Sequence, residues 1–283
     1  MKIAHFILAH KSPEQIELLI KALDHPDFYF FIHLDKKKDI TPFKYLEDNV
    51  KVFFIKNRVK FYRADFSGIQ ATLNGFEEIN KMNFDYINLI SGQDFPIKSA
   101  EYIYNYIKQR EGTEFVSCES VATEWTESIP RIYNYHFQHW QFRGKYKIGM
   151  LLTKLLPRRK FPLNYEVVGR SQWLTITGKA VSYILDFVKR EPSVPRYFKY
   201  CWGADEYIFA TILFNSHFKE KIANNLVYVD WEGSTDSHPK TLTTEDYLKL
   251  EKSPMLFARK FDIDKDKKII SKVLNLIGLI TNY

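Results

Sequence analysis

Apolar residues run almost without interruption over residues 2–9, Phe28–Leu34 and 86–90. Runs of that length without polar alternation read as strands buried on both faces of a parallel sheet. Shorter apolar stretches at 50–55, 114–118, 171–177 and 226–231 extend the set of strands. Between them the period becomes helical, at 66–82, 99–109, 178–189 and 205–214. A first helix begins after Ser12, which reads as an N-cap. Pro13 stands at the first helical position and Gln15 completes a capping box. Strand and helix alternate over the first 120 residues, which predicts an α/β fold with a mostly parallel sheet covered on both faces. Residues 120–168 are aromatic, basic and poorly periodic, and read as an insertion carried by that frame. The expected organisation is one large domain. Its segments are 1–119, the insertion at 120–168, a second half at 169–264, and a C-terminal helix at 265–283.

Composition narrows the class. At 283 residues the chain can bury a sizeable core. Its 23 Phe and 18 Tyr exceed what packing demands in places. Tyr133, Tyr135, Phe137, Trp140 and Phe142 crowd one short stretch, where rings suit sugars, bases, lipids or partner proteins. A net charge of +7 favours anionic partners such as phosphates, nucleotides or a membrane surface. No dense basic tract dominates, so nucleic acid is not an expected partner. Two cysteines without a CxxC argue against a disulfide scaffold and a zinc site. The amino-terminal apolar run is short and interrupted by His5, so it reads as the first strand rather than a signal peptide. No stretch is long and apolar enough to span a bilayer.

Three places carry candidate chemistry. Tyr86-Ile-Asn-Leu-Ile-Ser-Gly-Gln-Asp94-Phe-Pro-Ile-Lys98 is a strand that stops at Ser91-Gly92 and delivers Asp94 into a turn framed by Pro96. Ligands of open α/β sheets bind past the carboxyl ends of the strands, so Asp94 is a candidate ligand-handling acid; capping of the helix near Ser99 is the alternative. Trp202-Gly203-Ala204-Asp205-Glu206-Tyr207 opens a helix with two acids. Asp205 fits a cap, whereas Glu206 needs its own account and suits proton removal from an attacking hydroxyl. Finally, Phe257-Ala258-Arg259-Lys260-Phe261 and His238-Pro239-Lys240 put cations beside an expected strand. Strand alternation sends Arg259 and Lys260 to opposite faces, so one faces core or ligand; in the alternative both reach solvent. Asp262, Asp264 and Asp266 open like a calcium loop, but Lys267 and Val273 stand where Gly and Glu are required. Asp262-Ile-Asp264 lies too near the carboxyl terminus for a metal-binding DxD, and no metal site is expected.

In order, Ile7-Leu-Ala-His10, Ile32-His-Leu-Asp35-Lys-Lys, Ala64-Asp-Phe-Ser67, the 87–98 stretch, Gly169-Arg-Ser-Gln-Trp173, Asp205-Glu206, Val229-Asp-Trp231 and Phe257-Ala-Arg-Lys260-Phe261-Asp262 resemble the core-2/I-branching β-1,6-N-acetylglucosaminyltransferases and the related peptide O-xylosyltransferases, glycosyltransferase family 14. The resemblance spans Ile3 to about Asp264. It implies a GT-A-like, Rossmann-type fold and an inverting enzyme that uses a UDP-sugar without metal or other cofactor. Residues 1–119 become the nucleotide-binding half and 169–264 the acceptor and catalytic half. Carried over residue by residue, Glu206 is the general base and Lys260 neutralises the diphosphate, joined by Lys240 or, alternatively, His238. Ala9, His10, Asp35, Gly92 and Asp94 form the nucleotide and donor side, with Asp35 on uridine and Asp94 on donor hydroxyls. Trp173, Trp231, Arg131 and Asp205 line the sugar and acceptor side.

The animal members carry a membrane anchor, a stem and many cysteines. Their absence from these 283 residues leads to the expectation of a bacterial, cytoplasmic enzyme of surface-polysaccharide synthesis. Its expected partners are a UDP-sugar and a glycan or lipid-linked glycan. The leucine- and cation-rich segment 144–161 either rests on an anionic membrane near a lipid-linked acceptor or, in the ordinary alternative, forms an acceptor-site flap or partner contact. N-acetylglucosamine is the expected donor sugar, with xylose as alternative. A non-catalytic carbohydrate- or nucleotide-binding protein with the same fold is the second reading; an adaptor for nucleic acid or membrane is the third.

Overall fold

The computed structural model describes residues 1–232 and 238–279. Its strands are β1 (Ile3–Ala9), β2 (Phe28–Leu34), β3 (Val52–Phe54), β4 (Tyr86–Ser91), β5 (Asp94–Pro96), β6 (Glu114–Phe115), β7 (Glu119–Ser120), β8 (Val168–Gly169), β9 (Leu174–Thr177), β10 (Ile222–Ala223), β11 (Val227–Val229) and β12 (Phe257–Arg259). Its α-helices are α1 (Pro13–Ala22), α2 (Ser67–Asn80), α3 (Ala100–Lys108), α4 (Ile129–Tyr133), α5 (Lys145–Leu155), α6 (Gly178–Arg190), α7 (Ser193–Phe198), α8 (Ile208–Phe214), α9 (Tyr247–Lys252) and α10 (Lys267–Leu276).

Seven strands form the central sheet in the order β10-β6-β9-β4-β1-β2-β3. β1 pairs in parallel with β2 and β4, and β2 with β3. β9 enters antiparallel between β4 and β6. This is the mostly parallel, helix-flanked sheet expected of a GT-A-like fold. Every residue of β1 is buried, because helices cover both faces of the sheet. One face carries a core built from Phe6, Phe76, Ile87, Leu89, Ile176 and Phe209. The other carries Ile7, Ile16, Leu19, Phe30, Ile32 and Phe257. A smaller sheet, β11-β12-β5, lies at the carboxyl end of β4, with β12 parallel to β11 and antiparallel to β5.

Local signals explain several elements. Ser99 caps α3 by accepting the Tyr102 amide, and Thr177 caps α6 by accepting that of Ala180. Helix α1 departs from expectation. Ser12 is in the left-handed region with φ 55° and makes no side-chain cap. The Gln15 side chain is wholly buried instead of completing a capping box. Its Nε2 donates to the carbonyls of Gly92 and Phe261, and its Oε1 accepts the Ile263 amide. The helix expected from Asp205 is also shorter: residues 204–206 form a 3-10 turn, and α8 begins only at Ile208. Thus the two acids lie on a turn ahead of the helix, not in its first turn.

Candidate active site

The parallel strands end together. The Asp35 amide donates to the Ala9 carbonyl, and the Gly92 amide to that of Leu8. This edge brings together Ala9, His10, Asp35 and Gly92. Ala9 and Gly92 are buried and frame the edge through their backbones. Asp35 is 6% exposed; its Oδ1 accepts the amides of Lys37 and Phe61, which ties the loop after β3 to the end of β2. His10 is exposed at the rim. Partial desolvation of its ring, then Lys11 and Lys38, push its pKa down, against the pull of Asp35 and Asp262.

Asp94 does not cap α3, since Ser99 does that. Its carboxylate is fully buried and turned back on Ser91, accepting the backbone amide and the hydroxyl at 2.9 Å each. Burial raises its pKa, opposed mainly by Arg259, whose Nε lies 3.7 Å away. A covered carboxylate does not itself offer a surface to donor hydroxyls. In this conformation Asp94 faces the site through Arg259.

Of the two neighbouring cations, Arg259 is the one that turns inward. Its guanidinium lies 4.2 Å from the centre of the half-buried Trp173 ring and faces Asp94, Glu206 and Asp205. Burial pushes its pKa down while those three acids pull it up. Lys260 is half-buried. Desolvation lowers its pKa, helped by Arg259, Lys265 and Lys11 and opposed by Asp262. Among the described residues no carboxylate lies within ion-pair distance of Lys260. Lys240, by contrast, pairs with buried Asp246 at 2.7 Å, so its charge is already matched. The 240–242 segment still runs beside Lys260, the Leu242 amide donating to the Lys260 carbonyl. His238 is exposed, as is Trp231 at 54%. The calcium-like acids are structural: Asp262 pairs with Lys11 at 2.7 Å, and Asp266 caps α10.

The acids at 205 and 206 are positioned by tight backbone contacts. Gly203 sits at φ 64°, a left-handed turn that glycine adopts without strain. Its amide donates to the Ala64 carbonyl, and that of Trp202 to Arg131. On the other side, a Cβ at Gly169 would fall 2.3 Å from the Glu206 carbonyl oxygen, so only glycine fits there. The next amide, that of Arg170, donates to the same carbonyl at 3.1 Å. The Glu206 side chain is 31% exposed, and its Oε2 lies 3.4 Å from Arg131 Nη1. Burial, then Asp205, raise its pKa to about 7, against Arg131, Arg170 and Arg259. Asp205 is raised to about 6, chiefly by burial and also by Asp65. Arg131 stacks on Trp202 at 4.6 Å, and Arg170 on Trp125 at 5.1 Å.

The structure therefore joins Arg131, Trp173, Asp205 and Glu206 around Arg259, and puts Lys260 on the adjoining residue. It adds Arg170 and Trp125, which sequence reasoning missed. Arg170 follows Gly169; its side chain pairs with Glu119 and Glu127, and only the fold brings its charge near Glu206. Trp125 lies in the poorly periodic insertion, where no pattern marks it. Among the described residues no group of three or more His, Cys, Asp or Glu side chains is arranged to hold a metal.

Residues 3–252 match the model of a family described as Core-2/I-Branching enzyme. The chain belongs to that family. The branching-enzyme match covers most of the chain, including the turn that carries Glu206, and ends short of β12. Similar proteins include xylosyltransferase oxt of Drosophila pseudoobscura pseudoobscura, 23% identical over 89% of this chain and 30% of its own length. Human xylosyltransferase 2 is 22% identical over 95% of this chain and 33% of its own. A human β-1,3-galactosyl-O-glycosyl-glycoprotein β-1,6-N-acetylglucosaminyltransferase is 26% identical over 74% of this chain and 48% of its own. The chain thus spans about a third to a half of the length of these curated relatives. Among solved structures, the galactosyltransferase LgtC in complex with donor and acceptor sugar analogues aligns over the whole chain and 97% of its own, at 13% identity and a TM-score of 0.42.

Proposed function

We propose that this member of the branching-enzyme family is an inverting glycosyltransferase. It moves a sugar from UDP to a hydroxyl of a glycan or lipid-linked glycan destined for a bacterial surface polysaccharide. Glu206 carries the reading. Its carboxylate is exposed enough to meet an acceptor, held beside Arg131, and lifted to about 7, a proton affinity suited to a base at neutral pH. In the proposed step the acceptor hydroxyl oxygen bonds to the anomeric carbon from the face opposite UDP. Its proton passes to Glu206 as the carbon–oxygen bond to the diphosphate breaks. UDP leaves with that electron pair and needs positive charge, not a proton. Lys260, without an ion partner among the described residues, is the cation assigned to it. Arg259 stands next to it, and Lys240 enters only by releasing Asp246. Fixed cations make the transfer independent of added metal.

N-acetylglucosamine is the proposed donor sugar, supported by the family's description and the human relative above. Xylose is the second reading, supported by similarity to several xylosyltransferases over about nine-tenths of the chain. UDP release measured across UDP-sugars, with and without glycan acceptors, separates the two. Acceptor-dependent release from one of them is expected. UDP binding without release from any UDP-sugar, across a broad acceptor panel, would favour a non-catalytic binding protein instead. Glu206→Gln should keep UDP binding and lose about 10²- to 10⁴-fold in transfer. Unchanged transfer would remove Glu206 from the role of base.

A further inference from the structure

Eight of the 41 lysines and arginines and none of the 34 acids lie between residues 128 and 165. The rest of the chain therefore carries one net negative charge, and this segment accounts for the whole positive excess. Within it, Arg131 turns to Glu206 and Arg159 is stacked on Tyr197 at 3.8 Å. The other six cations have no carboxylate within ion-pair distance among the described residues.

Helix α5 runs through this segment and is held by one narrow face. Gly149 is its only buried residue and packs on Phe137; the Thr153 hydroxyl donates to the Tyr135 carbonyl. The opposite side is open. Ile148, Leu151 and Leu155 recur at i, i+3 and i+7 and are 46%, 57% and 70% exposed. Lys147 and Lys154 form a parallel cationic stripe beside them. Just past the helix, a cleft of about 430 Å³ is lined by Tyr135, Arg158, Lys160, Arg196 and Tyr200, with no acid in its wall. Tyr135 links the two: its carbonyl accepts the Thr153 hydroxyl of α5, and it walls the cleft.

We infer that α5 and this cleft form a docking surface for an anionic phospholipid bilayer. The apolar stripe enters the acyl boundary, and Arg158, Lys160 and Arg196 meet lipid phosphates. Charge complementarity decides the occupant: an apolar patch alone would suit a second copy of the chain, but a surface of unmatched cations repels its own copy and attracts anionic headgroups. Tyr200, which walls the cleft, leads directly into the turn of Trp202 and Glu206. Docking would accordingly hold the candidate base near the headgroup layer. The inference does not depend on the donor sugar or on transfer itself.

Vesicle flotation of the whole chain tests it. Binding is expected to vesicles containing phosphatidylglycerol, not to phosphatidylcholine alone, and to weaken at high salt. The triple variant Ile148→Ser, Leu151→Ser, Leu155→Ser should lower partitioning at least about tenfold. Arg158→Glu with Arg196→Glu should lower it about twentyfold or more, from about fivefold per cation near an anionic surface. Both variants alter exposed side chains, and circular dichroism checks that each folds. Absence of lipid-dependent flotation in the wild type, or flotation unchanged in both folded variants, would overturn the inference. So would a wild-type dimer that the serine variant converts to monomer, or tight oligonucleotide binding lost in the charge variant.

Discussion

Burial beside Asp205 lifts Glu206 to about 7, and the sign of its pH effects follows. A base must be unprotonated, so acceptor-dependent transfer should rise with pH through about 7 and level off above it. A kcat/KM profile flat from pH 5 to 8 would contradict this. Stability moves in the opposite sense. A carboxyl raised from 4.5 when folded binds its proton more tightly in the native state, so the penalty for ionising it grows between pH 4.5 and 7. Glu206→Gln should therefore raise Tm at pH 8 and change it little at pH 4.5. Arg259 makes a second residue-scale prediction. Its removal in Arg259→Met leaves buried Asp94 without its cation and should destabilise the fold by about 3 kcal/mol in urea titrations. Adding Asp94→Asn should recover part of that loss. At this scale the sequence was informative about residue type and less so about direction. Strand alternation required one of Arg259 and Lys260 to turn inward, but which one depends on the pairing of β12 with β5, a partner far away in the chain.

Elements position the site through backbone contacts that no side-chain pattern advertises. The Glu206 turn is clamped between Ala64 on one side and Gly169-Arg170 on the other. Gly169→Ala should displace the turn, costing about 1–3 kcal/mol in stability and lowering kcat more than it raises KM. Equal stability and equal kcat would show that the clamp is loose. Gln15 plays a comparable part between α1, the Gly92 turn and the strap after β12. Gln15→Ala should cost about 3 kcal/mol, because buried backbone groups lose their partners. A capping box and this bridge use the same residue type at the same position, and only the approach of residues 261–263 decides between them. Strands and helices with long apolar periods were legible for the opposite reason: β1, β2, β4 and α6 are specified by their own residues.

Across the whole molecule, the carboxyl ends of the parallel strands collect the residues proposed for the donor side, one turn carries the acids, and β12 joins them. The mostly parallel order was readable from the strand and helix rhythm. The antiparallel entry of β9 and the small β11-β12-β5 sheet were not, since both are formed by pairings across long separations. Among the described residues no helix is long and apolar enough to cross a membrane. The central claim is that protein cations, with Lys260 foremost, take the charge of the departing diphosphate while Glu206 takes the acceptor's proton. Steady-state transfer in excess EDTA, for the wild type and for Lys260→Ala, tests it most directly. Full wild-type turnover and a Lys260→Ala enzyme slowed by at least about a hundredfold are predicted. A wild type silenced by EDTA and restored by manganese, or a Lys260→Ala variant as fast as the wild type, would contradict the account.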